Sequence, residues 1–146
     1  ACLRKHAIAP HRLELELTET ALLHDLEHGI EVLRRLKALG VGLVIDDFGI
    51  GQSSLAYLKR FPVEKLKIDR SFVIGVAKDR DSAAICRAVV GMGRSLGLLL
   101  VAEGVENAAD LAFVKEQGFD YAQGYHFTRA LPAAELREWV RCRAEG

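Results

Sequence analysis

Leu33-Arg34-Arg35-Leu36-Lys37-Ala38-Leu39-Gly40-Val41-Gly42-Leu43-Val44-Ile45-Asp46-Asp47 passes from one structural period to another within a few residues. Leu22, Leu23, Leu26, Ile30, Leu33, Leu36 and Leu39 recur on a helical period and form one apolar stripe. Gly40 stands where a helix ends in a left-handed residue. Val41–Ile45 then reads as a short apolar strand, and it stops at two adjacent carboxylates.

The same exchange repeats on both sides. Leu13–Thr18, Lys65–Asp69, Leu98–Ala102 and Tyr121–Gly124 are further strand-like runs, each followed by a helical stretch. Ser53 or Ser54 caps a short helix through Leu58. Asp81 or Ser82 starts a helix carrying Ile85, Val89, Met92 and Leu96, with Gly97 at its end. Asn107 caps a helix that Gly118 follows, and Pro132 opens a last one through Leu136, Trp139 and Val140. Five βα units in series predict a parallel sheet with covering helices. Two architectures fit: a flavodoxin-like doubly wound domain, or five eighths of a (β/α)8 barrel, whose full size is about 250 residues. The alternation does not choose between them.

Composition narrows the function. The 146 residues are 50% hydrophobic and 27% charged, with 20 Lys+Arg against 20 Asp+Glu. That is a globular balance with no basic field to hold a nucleic-acid duplex. No apolar run approaches the roughly 18 residues of a membrane span, and the first residues lack a signal-peptide core. Cys2, Cys86 and Cys142 are odd in number and far apart, which predicts a reducing, cytoplasmic setting without disulfides or a thiolate zinc site.

The chemistry gathers at the strand ends. The first run finishes in Glu16-Leu17-Thr18-Glu19, the second in Asp46-Asp47, and the third carries Lys67 and Asp69 on one face. The fourth ends in Glu103 with Glu106 behind it, and the fifth supplies Gln123. In parallel α/β folds the C-terminal strand ends form the active face. Converging carboxylates need a cation, a lysine, or both, because burying one unpaired costs several kcal/mol. Oxygen ligands favour hard ions such as Mg²⁺ or Mn²⁺, which suits phosphate-ester chemistry. Adjacent Asp46 and Asp47 point to opposite sides of a regular strand, so sharing one site requires a bend, which Gly49 and Gly51 make easy. His24-Asp25-Leu26-Glu27-His28 matches a zinc-peptidase spacing but reads better as an ordinary amphipathic helix. Gly49-x-Gly51-x-x-Ser54 lacks the third glycine of a dinucleotide loop.

Glu16-Leu17-Thr18-Glu19, Asp46-Asp47-Phe48-Gly49-x-Gly51-x-Ser53-Ser54-Leu55, Lys67-Ile68-Asp69-Arg70-Ser71-Phe72, Ala102-Glu103-Gly104-Val105-Glu106 and Gln123-Gly124-Tyr125 occur in order. This series resembles the EAL domain, the bacterial cyclic-di-GMP phosphodiesterase family, from about Leu3 to Val140. The resemblance implies a modified TIM barrel and hydrolysis of cyclic-di-GMP to a linear dinucleotide with two Mg²⁺ or Mn²⁺ ions. It implies metal ligation by Glu16, Asp46 and Asp47, with Asp46 touching both ions. It implies that Lys67 holds the attacking water, that Glu103 pairs with that lysine and assists proton transfer, and that Gln123 contacts water or substrate. Glu19 and Ser53 fall to the support of the loop Asp47–Ser54, and Asp69 and Glu106 to support behind the ligands. The same loop is the expected homodimer region, although Ile50 and Gln52 replace the family's Thr and Tyr there.

The Glu-Ala-Leu signature and an early asparagine ligand are absent, and both belong to units that would precede Ala1. The expectation is therefore a partial domain over residues 1–146, five βα units without the N-terminal ones, inactive alone. Its parent would carry upstream sensory or GGDEF-type domains, cytoplasmic or as the cytoplasmic part of a membrane-anchored protein. The alternatives are a receptor that binds cyclic-di-GMP without cutting it, and an interaction module.

Overall fold

A computed structural model describes residues 2–18, 26–50 and 58–144. After a short helix α1 (Cys2–Lys5) and a 3₁₀ turn at Pro10–Arg12, the chain runs β1 (Glu14–Thr18), α2 (Leu26–Ala38), β2 (Gly42–Phe48) and β3 (Lys65–Ile68). It continues through α3 (Arg70–Val73), α4 (Arg80–Ser95), β4 (Leu99–Ala102), α5 (Ala108–Gln117), β5 (Tyr121–Ala122) and α6 (Ala133–Ala144). All neighbouring strands pair parallel, and the sheet order β1-β2-β3-β4-β5 follows the chain. A flavodoxin-like sheet would reverse its order at the first strand. A sequential order is that of a barrel wall, so the topology settles what the alternation left open.

One face of this wall is closed. Leu43, Ile45, Leu66, Ile68, Leu100 and Ala102 alternate along β2, β3 and β4 and are buried with Leu33, Val73, Val76, Cys86, Val90 and Val114. The helix α4 comes very close: a Cβ on Gly93 would lie 2.5 Å from Leu100 Cδ2. That close approach accounts for one glycine of this helix, whereas a Cβ on Gly91 would meet nothing within 4 Å.

The helix ends carry the expected stop signals with one displacement. Gly40 and Gly118 are left-handed at φ 84° and 79°. The Asn107 side chain accepts hydrogen bonds from the Ala109 and Asp110 amides. The helix α4, however, begins at Arg80, and its cap is Asp79 rather than Asp81 or Ser82. Asp79 accepts from the Asp81 amide at 3.0 Å and from the Ser82 hydroxyl at 2.6 Å. Its buried side is Ser82, Ala83, Cys86, Val89, Val90 and Gly93, leaving Ile85 exposed. The stripe read from Ile85 and Leu96 is thus rotated by about one position, because the small residues mark where α4 touches the sheet. The expected cap at Ser53 or Ser54 lies outside the described residues.

Candidate functional site

The strand period sends the other residues of each strand to the opposite face. There Glu16 of β1, Asp46 of β2, Lys67 of β3 and Glu103 just beyond β4 meet. Lys67 Nζ lies 2.9 Å from Glu16 Oε2, 3.0 Å from Asp46 Oδ1 and 2.6 Å from Glu103 Oε1. Lys67 is almost wholly buried, whereas Glu16 is half exposed. Burial alone would lower the Lys67 pKa, but the close carboxylates of Glu103, Glu16 and Asp46 outweigh it and hold the amine above its ordinary value. The Glu103 pKa is raised too, but here burial is the cause, and Lys67 only partly offsets it.

A bulge brings Asp47 into the cluster. Ile45 pairs with Leu66 and Phe48 with Ile68, so two residues of β2 face one of β3. Asp47 takes the left-handed conformation at φ 54°. The extra residue resets the alternation, so Phe48 returns to the closed face and both aspartates stay on the open one. Carboxylate oxygens of Asp46, Asp47 and Glu103 lie within 4.8 Å of one another. The bend therefore sits at Asp47 itself, ahead of the glycines. Asp47 is held above its ordinary pKa by burial, then by the Asp46 and Asp69 charges.

The donor set tests the fit of a divalent ion. Asp46 Oδ1 is buried and has no hydrogen-bond partner among the described residues; its contact with Lys67 is an ion pair without hydrogen-bond alignment. A buried oxygen left in that state, beside two further carboxylates, suits a hard cation.

The remaining expected residues divide. Asp69 is buried and caps α3, accepting from the Ser71 amide at 2.8 Å. Burial would raise its pKa, yet the Ser71 and Arg70 contacts hold it below the ordinary range. Glu106 is exposed and makes no side-chain hydrogen bond or ion pair among the described residues. Gln123 follows β5 and is exposed; its backbone bonds to Ala102 and Val105, but its side chain joins none of the ion pairs. Glu19 and Ser53 lie outside the described residues, as does most of the loop they were expected to support. Tyr125 is exposed with the Arg129 guanidinium 4.7 Å from its ring, and Phe127 packs against the core.

Sequence reasoning passed over Glu14 and Lys65. They form a second pair on the same face, at 2.5 Å, with Lys65 Nζ also 4.9 Å from the Tyr121 ring. The signal was present, since each lies two residues before a partner already singled out. Among the described residues no helix is long and apolar enough to cross a membrane.

Comparison with known proteins gives one consistent neighbourhood. The family model described as the EAL domain matches residues 1–130. The cyclic di-GMP phosphodiesterase NbdA of Pseudomonas aeruginosa is 46% identical over 139 residues, 95% of this chain but 18% of that protein. A solved structure named PaMucR phosphodiesterase, c-di-GMP complex, is 46% identical with a TM-score of 0.88, covering 92% of this chain and 54% of that one. Klebsiella pneumoniae BlrP1 in a manganese/cy-diGMP complex is 34% identical with a TM-score of 0.81, covering 87% and 32%. The chain thus spans about a fifth of the length of this curated relative.

Proposed function

Because the chain belongs to the EAL domain family, we propose that its open face forms the C-terminal part of a cyclic-di-GMP phosphodiesterase site, which hydrolyses the cyclic dinucleotide to linear pGpG. The observation that carries the reading is Lys67 held by Glu16, Asp46 and Glu103 beside the Asp46–Asp47–Glu103 oxygen cluster. Glu16, Asp46 and Asp47 would hold two ions, Mg²⁺ or Mn²⁺. Such ions, when bound, acidify a coordinated water and neutralise charge on a phosphate.

The side chains account for the rest. The positive Lys67 keeps the carboxylates from repelling one another and presents N–H groups to a water or a phosphate oxygen on the same face. Glu103, raised by burial, is the carboxyl best suited to take up a proton from that water. Gln123, at the mouth beyond β5, would contact substrate. Asp69 and Glu106 would act behind these groups, and the loop Asp47–Ser54 would contribute to a homodimer. The parent protein would carry further domains upstream.

The chain alone is read as inactive. It spans 54% of the PaMucR neighbour, and its sheet ends at β1 and β5 without partners among the described residues. Loss of a ligand or its support costs orders of magnitude in affinity or rate. The test is turnover of cyclic-di-GMP with Mn²⁺, followed by chromatography, for the chain and for its full-length parent. Product from the parent alone, abolished by Asp46→Ala, is the expected result. Product from the chain would overturn its inactivity. Nucleotide binding without product by the parent would make the protein a receptor.

A further inference from the structure

We propose that Phe72 is a positioning residue whose ring, carried on α3, holds the turn in which Asp47 joins the site; its bearing on metal rests on reading the Lys67 cluster as the phosphodiesterase site. Strand pairing brackets Asp47 without holding it. The register with β1 ends at Thr18 opposite Asp46, and that with β3 passes from Ile45 straight to Phe48. Asp47 has no partner in either register, as the extra residue of a bulge has none. The rung beyond it is long, the Asp69 amide donating to the Phe48 carbonyl at 3.4 Å. Asp47 is also left-handed at φ 54°, a strained state for an aspartate that persists only where its surroundings enforce it.

The ring meets the chain just past this point. Gly49 stands two residues after Asp47, at φ 107°, and a Cβ there would lie 2.8 Å from Phe72 Cε2 and 3.4 Å from Cδ2. The ring edge thus fills the space in which a side chain at position 49 would begin. Phe48, between them, is buried in the closed face. With Asp46 paired to β1, rotation about the Asp47 backbone swings Phe48 and Gly49 together. The core resists that movement at Phe48, and the Phe72 ring resists it at Gly49. The Asp47 carboxylate is what the turn delivers, to within 4.8 Å of the oxygens of Asp46 and Glu103.

The ring is itself on a fixed base. At four residues, α3 is too short to hold its own shape. Other elements hold it. Its first turn is capped by Asp69, and the buried Cys86 thiol of α4 donates to the Phe72 carbonyl at 3.4 Å. Arg70 lies against the loop after β4, where a Cβ on Gly104 would come 2.5 Å from Arg70 Cβ. Just beyond α3, the buried Asp110 of α5 accepts from the Gly75 and Ala77 amides at 3.0 and 3.2 Å. The backbone under Phe72 is therefore fixed by α4, α5 and the β4 loop, independently of the turn that the ring meets.

The test reads Asp47 directly in the metal-free chain. The three-bond coupling between its amide and α protons, measured by NMR, is smaller for the left-handed conformation than for an extended one. It keeps the left-handed value in the native chain and in Phe72→Tyr, which retains the ring. It rises in Phe72→Leu and in Phe72→Met, while Cys86 stays protected from alkylation because α3 stays seated. Mn²⁺ affinity by calorimetry falls about tenfold in Phe72→Leu, and the same substitution costs nothing further in an Asp47→Asn background. An unchanged coupling in both ring-deleting variants overturns the proposal. An equal loss of Mn²⁺ affinity with and without the Asp47 carboxylate overturns it too, as does Cys86 opening in both variants, since either would make the ring a general support of the fold. A coupling that responds in a chain that binds no Mn²⁺ upholds the positioning and removes the metal reading. Mn²⁺ binding with an unmoved coupling does the reverse.

Discussion

The two faces of the sheet use alternate residues of the same strands and obey opposite rules. The closed face is aliphatic, with Leu43, Leu66, Ile68 and Leu100 fully buried under the helices. It is held by burial, which is non-directional and tolerates exchange of one aliphatic residue for another of similar volume. The open face carries Glu14, Lys65, Glu16, Lys67, Asp46, Asp47 and Glu103, and leaves Leu99 and Tyr121 exposed at 38% and 50%. It is held by directional pairs whose members each lose their purpose when one is removed. Stability therefore resides mainly on one face and the proposed site on the other, and substitutions should separate them.

The largest effect is expected from Leu66→Ala on the closed face. It should cost about 3 kcal/mol in urea denaturation, the usual range for a buried leucine, while leaving the Mn²⁺ affinity of the folded fraction unchanged. Lys67→Met should be nearly as destabilising, about 2–3 kcal/mol, because it strands three carboxylates, one of them half exposed. Here the loss should shrink when Mn²⁺ is added, which it should not do for Leu66→Ala; equal losses with and without metal would break the comparison. Asp46→Asn should do the reverse of Leu66→Ala. Mn²⁺ binding by calorimetry should fall by about a hundredfold, and the melting temperature without metal should drop far less than for Leu66→Ala, since Lys67 keeps Glu16 and Glu103 and the oxygen lost made no hydrogen bond among the described residues.

Asp47→Gly sharpens the contrast at one residue. A glycine relieves the left-handed φ of 54°, so the metal-free chain should gain about 1 kcal/mol while losing metal affinity. The smallest effect at neutral pH belongs to Cys86, whose thiol is pushed up to about 11 by burial. Its folded pKa exceeds the unfolded value of 9.0, so the folded state retains its proton longer. Stability should decline as the pH rises from 9.0 toward 11, and the decline should be shallower in Cys86→Ala. At pH 8 iodoacetamide should modify the exposed Cys2 and Cys142 well before Cys86.

The elements were legible because their signals are local. The left-handed glycines at positions 40 and 118 and the Asn107 cap depend on a few neighbouring residues and stand where the sequence pattern puts them, whereas the buried stripe of α4 lies about one position away from Ile85 and Leu96. The site was legible to the extent that it obeys the same local rule. Glu16, Asp46, Lys67 and Glu103 end or nearly end their strands, and parallel strands bring such ends together. Glu106 and Gln123 follow the rule in position, yet their side chains join none of the ion pairs, because their places lie in the turns beyond the strands, where the alternation no longer aims a side chain.

What the sequence determined by itself was the succession of βα units, the polar strand ends and the hard-ion character of the donors. Composition and period are properties of a chain before it folds. Tertiary structure alone decided three things. The strand order chose the barrel wall over the doubly wound sheet, because both share the same alternation. The bulge at Asp46–Asp47 turned two neighbours onto one face, because a change of register exists only between two paired strands. The Glu14–Lys65 pair joins residues 51 positions apart, and only the packed sheet brings those together.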